Sequence, residues 1–169
     1  PVLMTNKVVR VPADLKGVKL RTPSRDQAEI IKGLGAIPVA LPMPATYQAI
    51  EKGVVDGSLV GISVVRSFKL AEVVKNYVID LPMGYSPQMI VMNKKVYAGL
   101  GAAQRKAIDA NRGLTWSLRA AKLYENARKS GLKLVKSRKD TNITKLTAAE
   151  KKLWDDRIGK IAEDWVTRF

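Results

Sequence analysis

Arg21 is the residue whose type and setting could do the most chemistry in this chain. It ends a short segment, Val18-Lys19-Leu20-Arg21, and Thr22-Pro23-Ser24 then breaks the strand and opens a helix. Open α/β sheets bind ligands at the carboxyl ends of their strands. A guanidinium there is a permanent cation whose planar fork can hold a carboxylate by two parallel hydrogen bonds. Pairing with a local carboxylate such as Asp26 is the structural alternative from sequence. The following strand ends would bring Met43 and Val60-Gly61 to the same crevice, adding an apolar side chain and bare backbone. A cation beside apolar walls suits a small organic acid.

Catalysis has far less support. The 169 residues include no cysteine and no histidine, which excludes disulfides, thiolate chemistry, the common zinc sites and any histidine-based triad. Asp26, Asp56 and Asp80 stand isolated from one another, and no GxGxxG or GxxxxGK[ST] loop is present to cradle phosphate. Neither catalytic residues, a metal site nor a cofactor is therefore expected, and an enzyme on a similar scaffold ranks last.

Charge raises a different reading. Thirty Lys and Arg against fifteen Asp and Glu give a formal net charge of +15, which invites a basic nucleic-acid-binding domain as the alternative function. The cations are spread along the chain, however, with a denser set from Arg119 to Lys152, and scattered helical lysines usually form a solvated face. The tryptophans fall in apolar helical stripes, leaving few stacking platforms for bases. No apolar run is long enough to span a bilayer. The chain opens Pro1-Val2-Leu3 without an initiator methionine or a signal-like segment, which reads as a processed or truncated product.

The elements that must position these residues follow a strand-helix-strand rhythm. Residues 1–14 read as extended chain, followed by a tight turn into the strand 18–21. A helix capped by Ser24, with Gln27 as capping-box partner, ends at Gly35. The apolar run 37–41 is a second strand, Thr46 to Lys52 a second helix, and the Asp56-Gly57 turn leads into a third strand, 58–61. Residues 62–75 read as helical. The segment Asp80-Leu81-Pro82-Met83-Gly84 interrupts, and 88–93 reads as a strand buried on both faces. Ala102 to Lys129 reads as one long helix bent at Gly113 and closed by Gly131, with a brief strand over 132–135. In the last helix Thr147 and Glu150 form a capping box, and Leu153, Trp154, Ile158, Ile161 and Trp165 form a packing stripe.

Four segments taken together resemble a known family. They are Asp14-Leu15-Lys16-Gly17-Val18-Lys19-Leu20-Arg21-Thr22-Pro23, Gly35-Ala36-Ile37-Pro38-Val39, Tyr47-Gln48-Ala49-Ile50-Glu51-Lys52-Gly53-Val54-Val55-Asp56-Gly57, and Phe68-Lys69-Leu70-Ala71-Glu72-Val73. In order and spacing they resemble the solute-binding proteins of tripartite ATP-independent periplasmic (TRAP) transporters. Members of that family are about twice this length, so the chain is similar to their second half. The resemblance implies an α/β, periplasmic-binding-protein-like lobe with a short mixed, mainly parallel sheet flanked by helices, plus long C-terminal helices. It implies a linker over 1–16, a ligand-clamping lobe over 17–92 and a helical region over 93–169 that braces the hinge and the other lobe.

It further implies a periplasmic protein that captures a small carboxylate and hands it to membrane permease subunits. The matching Lys-Leu-Arg strand carries the carboxylate-pairing role onto Arg21, and Ser24, Met43, Val60 and the Pro82-Met83 segment fall where the family lines its pocket. The chain departs from the pattern at Leu59-Val60-Gly61-Ile62, where many members have Asn or Trp, and at Met43, where phenylalanine is common. Those departures imply a plainer, more apolar acid than a sugar acid. With one lobe alone, self-association through uncovered apolar surface is expected.

Overall fold

The computed structural model describes residues 1–83 and 88–167, so Gly84 lies outside the described residues. Its sheet is built from short strands whose alternate side chains go to opposite faces. β1 (Val2–Thr5), β2 (Lys19–Thr22), β3 (Ile37–Ala40), β4 (Gly57–Val60), β5 (Asn76–Val78) and β6 (Asn142–Thr144) form one six-stranded sheet in the order β3-β2-β4-β1-β5-β6. β2 runs parallel to β3 and β4, and β5 runs parallel to β6; only β1 is antiparallel to its neighbours. This is the mixed, mainly parallel sheet that the sequence leads one to expect.

The register aligns Val39, Arg21, Ser58, Met4, Tyr77 and Ile143 as one row across all six strands. Its apolar members belong to a core cluster with Ile50, Val65, Leu70 and Val135, packed under α2 (Thr46–Glu51) and α5 (Gly113–Ser137). The intervening residues Leu3, Leu20, Leu59 and Val78 face the other way, into a second cluster with Ile31 of α1 (Arg25–Gly33), Leu34 just after that helix and Trp154 of α6 (Ala148–Val166). The single backbone of the sheet therefore divides two cores.

Local chemistry explains several element boundaries. Ser24 Oγ accepts from Gln27 N at 3.3 Å and starts α1, but the Gln27 side chain does not return to the cap; its Nε2 donates to Leu59 O at 3.0 Å and ties the helix to β4. The Thr147–Glu150 capping box forms in both directions. In the stripe of α6, Trp154 is fully buried and its Nε1 donates to Arg10 O at 2.7 Å, while Leu153 and Trp165 are exposed.

Several expected elements are corrected. Residues 2–5 are not free extended chain; β1 sits between β4 and β5, where its continuous burial fits a central strand. Residues 62–75 are not one helix but short 3-10 turns at Ile62–Val64 and Leu70–Glu72, separated by Lys69 in the left-handed region at φ 54°. Residues 88–93 form no strand: both sheet edges, β3 and β6, are elsewhere, and Met89, Ile90 and Val91 remain 81 to 84% exposed. The long helical segment is broken at Asn111 and Arg112 into α4 (Ala102–Ala110) and α5, so Gly113 with φ 66° begins a helix instead of bending one. α3 (Lys94–Ala98) precedes them, capped by Asn93.

Gly131 does not close a helix. α5 continues through it to Ser137 and absorbs the strand expected over 132–135. The glycine is there for close approach: a Cβ would lie 2.2 Å from the carbonyl oxygen of Ile62. Because backbone is the obstacle, Gly131→Ala should lower stability by about 1 to 3 kcal/mol through overpacking. A chemical-denaturation midpoint equal to that of the wild type would show that α5 does not rest on this contact.

A second prediction concerns the loop after β1. The Arg10 guanidinium pairs with Glu150 and also donates to Lys145 O at 3.1 Å, holding the loop to the start of α6. The hydrogen bond from Arg10, aided by the Thr147 backbone, holds the Glu150 carboxyl at about 2, below its ordinary 4.5. A carboxyl depressed by folding contributes stability that is complete above the unfolded value and is lost as pH falls toward the folded one. Wild-type unfolding free energy should therefore fall more steeply between about pH 4.5 and 2 than that of Glu150→Gln. Parallel curves would mean that the pair is energetically silent.

Candidate functional site

β2 places Arg21 one residue from its carboxyl end, between Val39 of β3 and Ser58 of β4. The side chain is only 4% exposed, and its Nε donates to Leu41 O at 2.8 Å. Among the described residues no carboxylate lies within ion-pair distance of it, so the pairing with Asp26 does not form. Burial alone pushes its pKa down from the ordinary arginine value. A guanidinium still remains charged at any physiological pH. The Nε bond fixes the plane of the fork and leaves the edge formed by its two terminal nitrogens without a hydrogen-bond partner among the described residues. That edge is the one used in end-on bidentate contact with a carboxylate.

The structure brings some of the sequence candidates to this place and leaves others apart. Val39, Leu41, Met43 and Val60 all pack, half-buried, against the core cluster on the Arg21 face. Met43 opens the 3-10 turn Met43–Ala45, and its sulfur accepts from Thr46 Oγ1 at 3.9 Å. Val60 ends β4, and exposed Gly61 starts the turn that α5 packs upon. Ser24 is exposed just beyond β2, where its hydroxyl caps α1. Pro82 and Met83 are half-buried in the segment after β5, and Met83 packs against the cluster on the opposite face.

Ser58 is the residue that sequence reasoning missed. It is fully buried beside Arg21 in the same row, and its Oγ has no hydrogen-bond partner among the described residues. Its place after Asp56-Gly57 on a strand next to β2 was the available signal; the register that puts it beside Arg21 is a tertiary fact. Two depressions lie away from Arg21, one lined by Val11, Pro12, Leu34 and Leu153 and the other along α5. What β2, β3 and β4 present is one wall: a fixed cation with apolar neighbours.

Comparison with known proteins decides the family. A family model described as bacterial extracellular solute-binding protein, family 7, matches residues 2–167. The chain belongs to that family. A C4-dicarboxylate-binding periplasmic protein of Rhodobacter capsulatus is 28% identical over 174 residues, covering 99% of this chain and 50% of that protein. A TRAP solute-binding protein of Rhodoferax ferrireducens, solved with copurified benzoate, has a TM-score of 0.81 at 31% identity and covers 99% of this chain and 53% of its own. One from an unidentified marine microbe, specific for aromatic acids and solved with metahydroxyphenylacetate, has a TM-score of 0.83 at 29% identity, covering 99% and 54% respectively.

The chain thus spans about half the length of the relatives it matches. Family 7 comprises solute-binding components of transporters and not enzymes, and its characterised relatives are periplasmic. Membership does not favour the nucleic-acid alternative. Among the described residues no helix is long and apolar enough to cross a membrane.

The unpartnered Ser58 hydroxyl yields a test of the site's floor. If it serves only the fold, Ser58→Ala removes a buried polar group without a partner and should leave stability within about 0.5 kcal/mol or raise it. A loss of ligand affinity with unchanged stability, read by calorimetry and thermal unfolding, would instead make the hydroxyl a ligand contact.

Proposed function

We propose that this chain forms the carboxy-terminal lobe of a two-lobed TRAP solute-binding protein that captures a small, largely apolar carboxylate and delivers it to a membrane permease. The observation that carries the reading is the buried Arg21 guanidinium, fixed through Nε and without a counter-ion among the described residues. Burying an unpaired charge costs several kcal/mol, and a ligand carboxylate on the open edge of the fork offsets that cost.

Met43, Val60 and the neighbouring backbone supply apolar walls, with no side-chain hydroxyl or amide at either position. That composition supports an aromatic or short aliphatic acid over one rich in hydroxyls, a reading in keeping with the aromatic acids bound by the two solved relatives near 30% identity. Ser24 and Gly61 complete the proposed rim. The half-length match and the exposed apolar residues at 89–92 support a helical region over 93–169 that braces a second lobe; where that lobe is missing, self-association would cover the same surface.

Calorimetry on the full-length protein containing this chain tests the reading. Arg21→Ala should weaken carboxylate binding by about 2 to 5 kcal/mol, since a buried anion loses its partner. Arg21→Lys should recover only part of that, because a point charge does not reproduce the fork. Unchanged affinity in the alanine variant would remove Arg21 from the site. Benzoate should bind more tightly than glucuronate; the reverse order would overturn the apolar preference while leaving the carboxylate role standing.

A further inference from the structure

The solvent face of α5 carries a line of cations that ligand capture does not use. Arg119, Lys122, Lys129, Lys133 and Lys136, with Asn126 between, recur at intervals of three and four residues, and all six are exposed. They therefore lie along one side of the helix, opposite buried Gly131 and Val135, as a ridge about 26 Å long. α5 holds six basic residues and one acidic residue, and among the described residues the ridge's ion pair is that of Lys129 with Glu125, at 3.6 Å.

An ordinary solvated face mixes its signs, and the same chain shows this on α6, where four basic residues alternate with five acidic ones. Neighbouring like charges three and four positions apart weaken a helix, so the one-sign ridge of α5 works against the helix that bears it. Lysine makes up four of its five cations. Lys and Arg clustered along one side of an amphipathic helix read as a binding surface for anionic lipid headgroups, each cation adding attraction near the membrane surface. The ridge carries no aromatic side chain, which disfavours stacking on nucleic-acid bases. Its last turns flank a shallow depression lined by Lys129, Leu132, Lys133, Lys136 and Ser137.

We propose that the α5 ridge is an electrostatic docking surface for anionic phospholipid headgroups. It would hold the binding protein against the bilayer while leaving the Arg21 wall free. The attraction acts within a Debye length of the surface, so it is reversible and sensitive to salt.

The test is co-sedimentation of the full-length protein with vesicles of phosphatidylcholine alone or with about 30% phosphatidylglycerol, in about 50 and 500 mM salt. The wild type should bind only the anionic vesicles, and only at low salt. A variant combining Lys122→Gln, Lys129→Gln, Lys133→Gln and Lys136→Gln should lose at least about 100-fold in vesicle affinity. Its thermal unfolding and benzoate affinity should stay at the wild-type level, which separates this proposal from the carboxylate reading. Equal vesicle binding by variant and wild type would overturn the ridge as the docking surface. Absence of vesicle binding by the wild type would overturn the lipid assignment, and slower uptake by the variant in permease-containing membranes would then turn the ridge toward a protein.

Discussion

A buried guanidinium without a counter-ion among the described residues is the constraint around which this lobe is arranged. Arg21 is held in the middle of a side-chain row that crosses six strands, and one backbone carbonyl fixes its plane. Burying such a charge unpaired is costly, and a partner arriving from outside would offset that cost. The short parallel strands supply rigidity, and Arg21 stands near their carboxyl ends. The neighbouring apolar side chains lower the local dielectric, which strengthens the charge for an incoming anion as much as it penalises the empty state.

The opposite face of the sheet does different work. There α1 and α6 close over Leu3, Leu20 and Leu59 with Trp154 at the centre, and Ile161 fits against Gly33 so closely that a Cβ there would lie 2.6 Å from it. The tie from Arg10 to Glu150 and the Trp154 bond to Arg10 O connect the first loop to the last helix. Contacts so distant in sequence make β1 and α6 parts of one unit with the arginine-bearing strand. A central β1, antiparallel to its neighbours, also explains how residues at the start of the chain belong to the lobe's core.

Sequence reading succeeded where local signals and tertiary demands agree. Ser24 and Thr147 cap helices, the Asp56-Gly57 turn opens β4, and β2, β3 and β4 lie where apolar runs end in turn residues. It failed where a segment's state depends on a distant partner. β5 and β6 have three residues each and are strands only because they pair with one another and with β1. Residues 88–93 have strand composition and no strand to join. Gly131 looks like a terminator in one dimension and is a contact point in three. The same limit applies at the candidate site: the type and strand-end position of Arg21 were legible in sequence, whereas its neighbour Ser58 came into view only through register.

The wall formed by β2, β3 and β4 is one side of a site, and that bears on how such a lobe could work. An anion that met its guanidinium from the water side alone would gain little, because high dielectric and salt weaken the pair. The same pair covered by a second apolar surface interacts far more strongly, so a ligand bridging two lobes favours the closed arrangement by the difference between those two environments. A ligand that met Arg21 equally well with the lobe open or covered would shift nothing, however tightly it bound. Fixing the guanidinium beforehand through Leu41 O removes part of the ordering cost from the binding step. In a two-lobed protein the energy of the ion pair would thereby be left to drive closure instead of being spent on orienting the arginine.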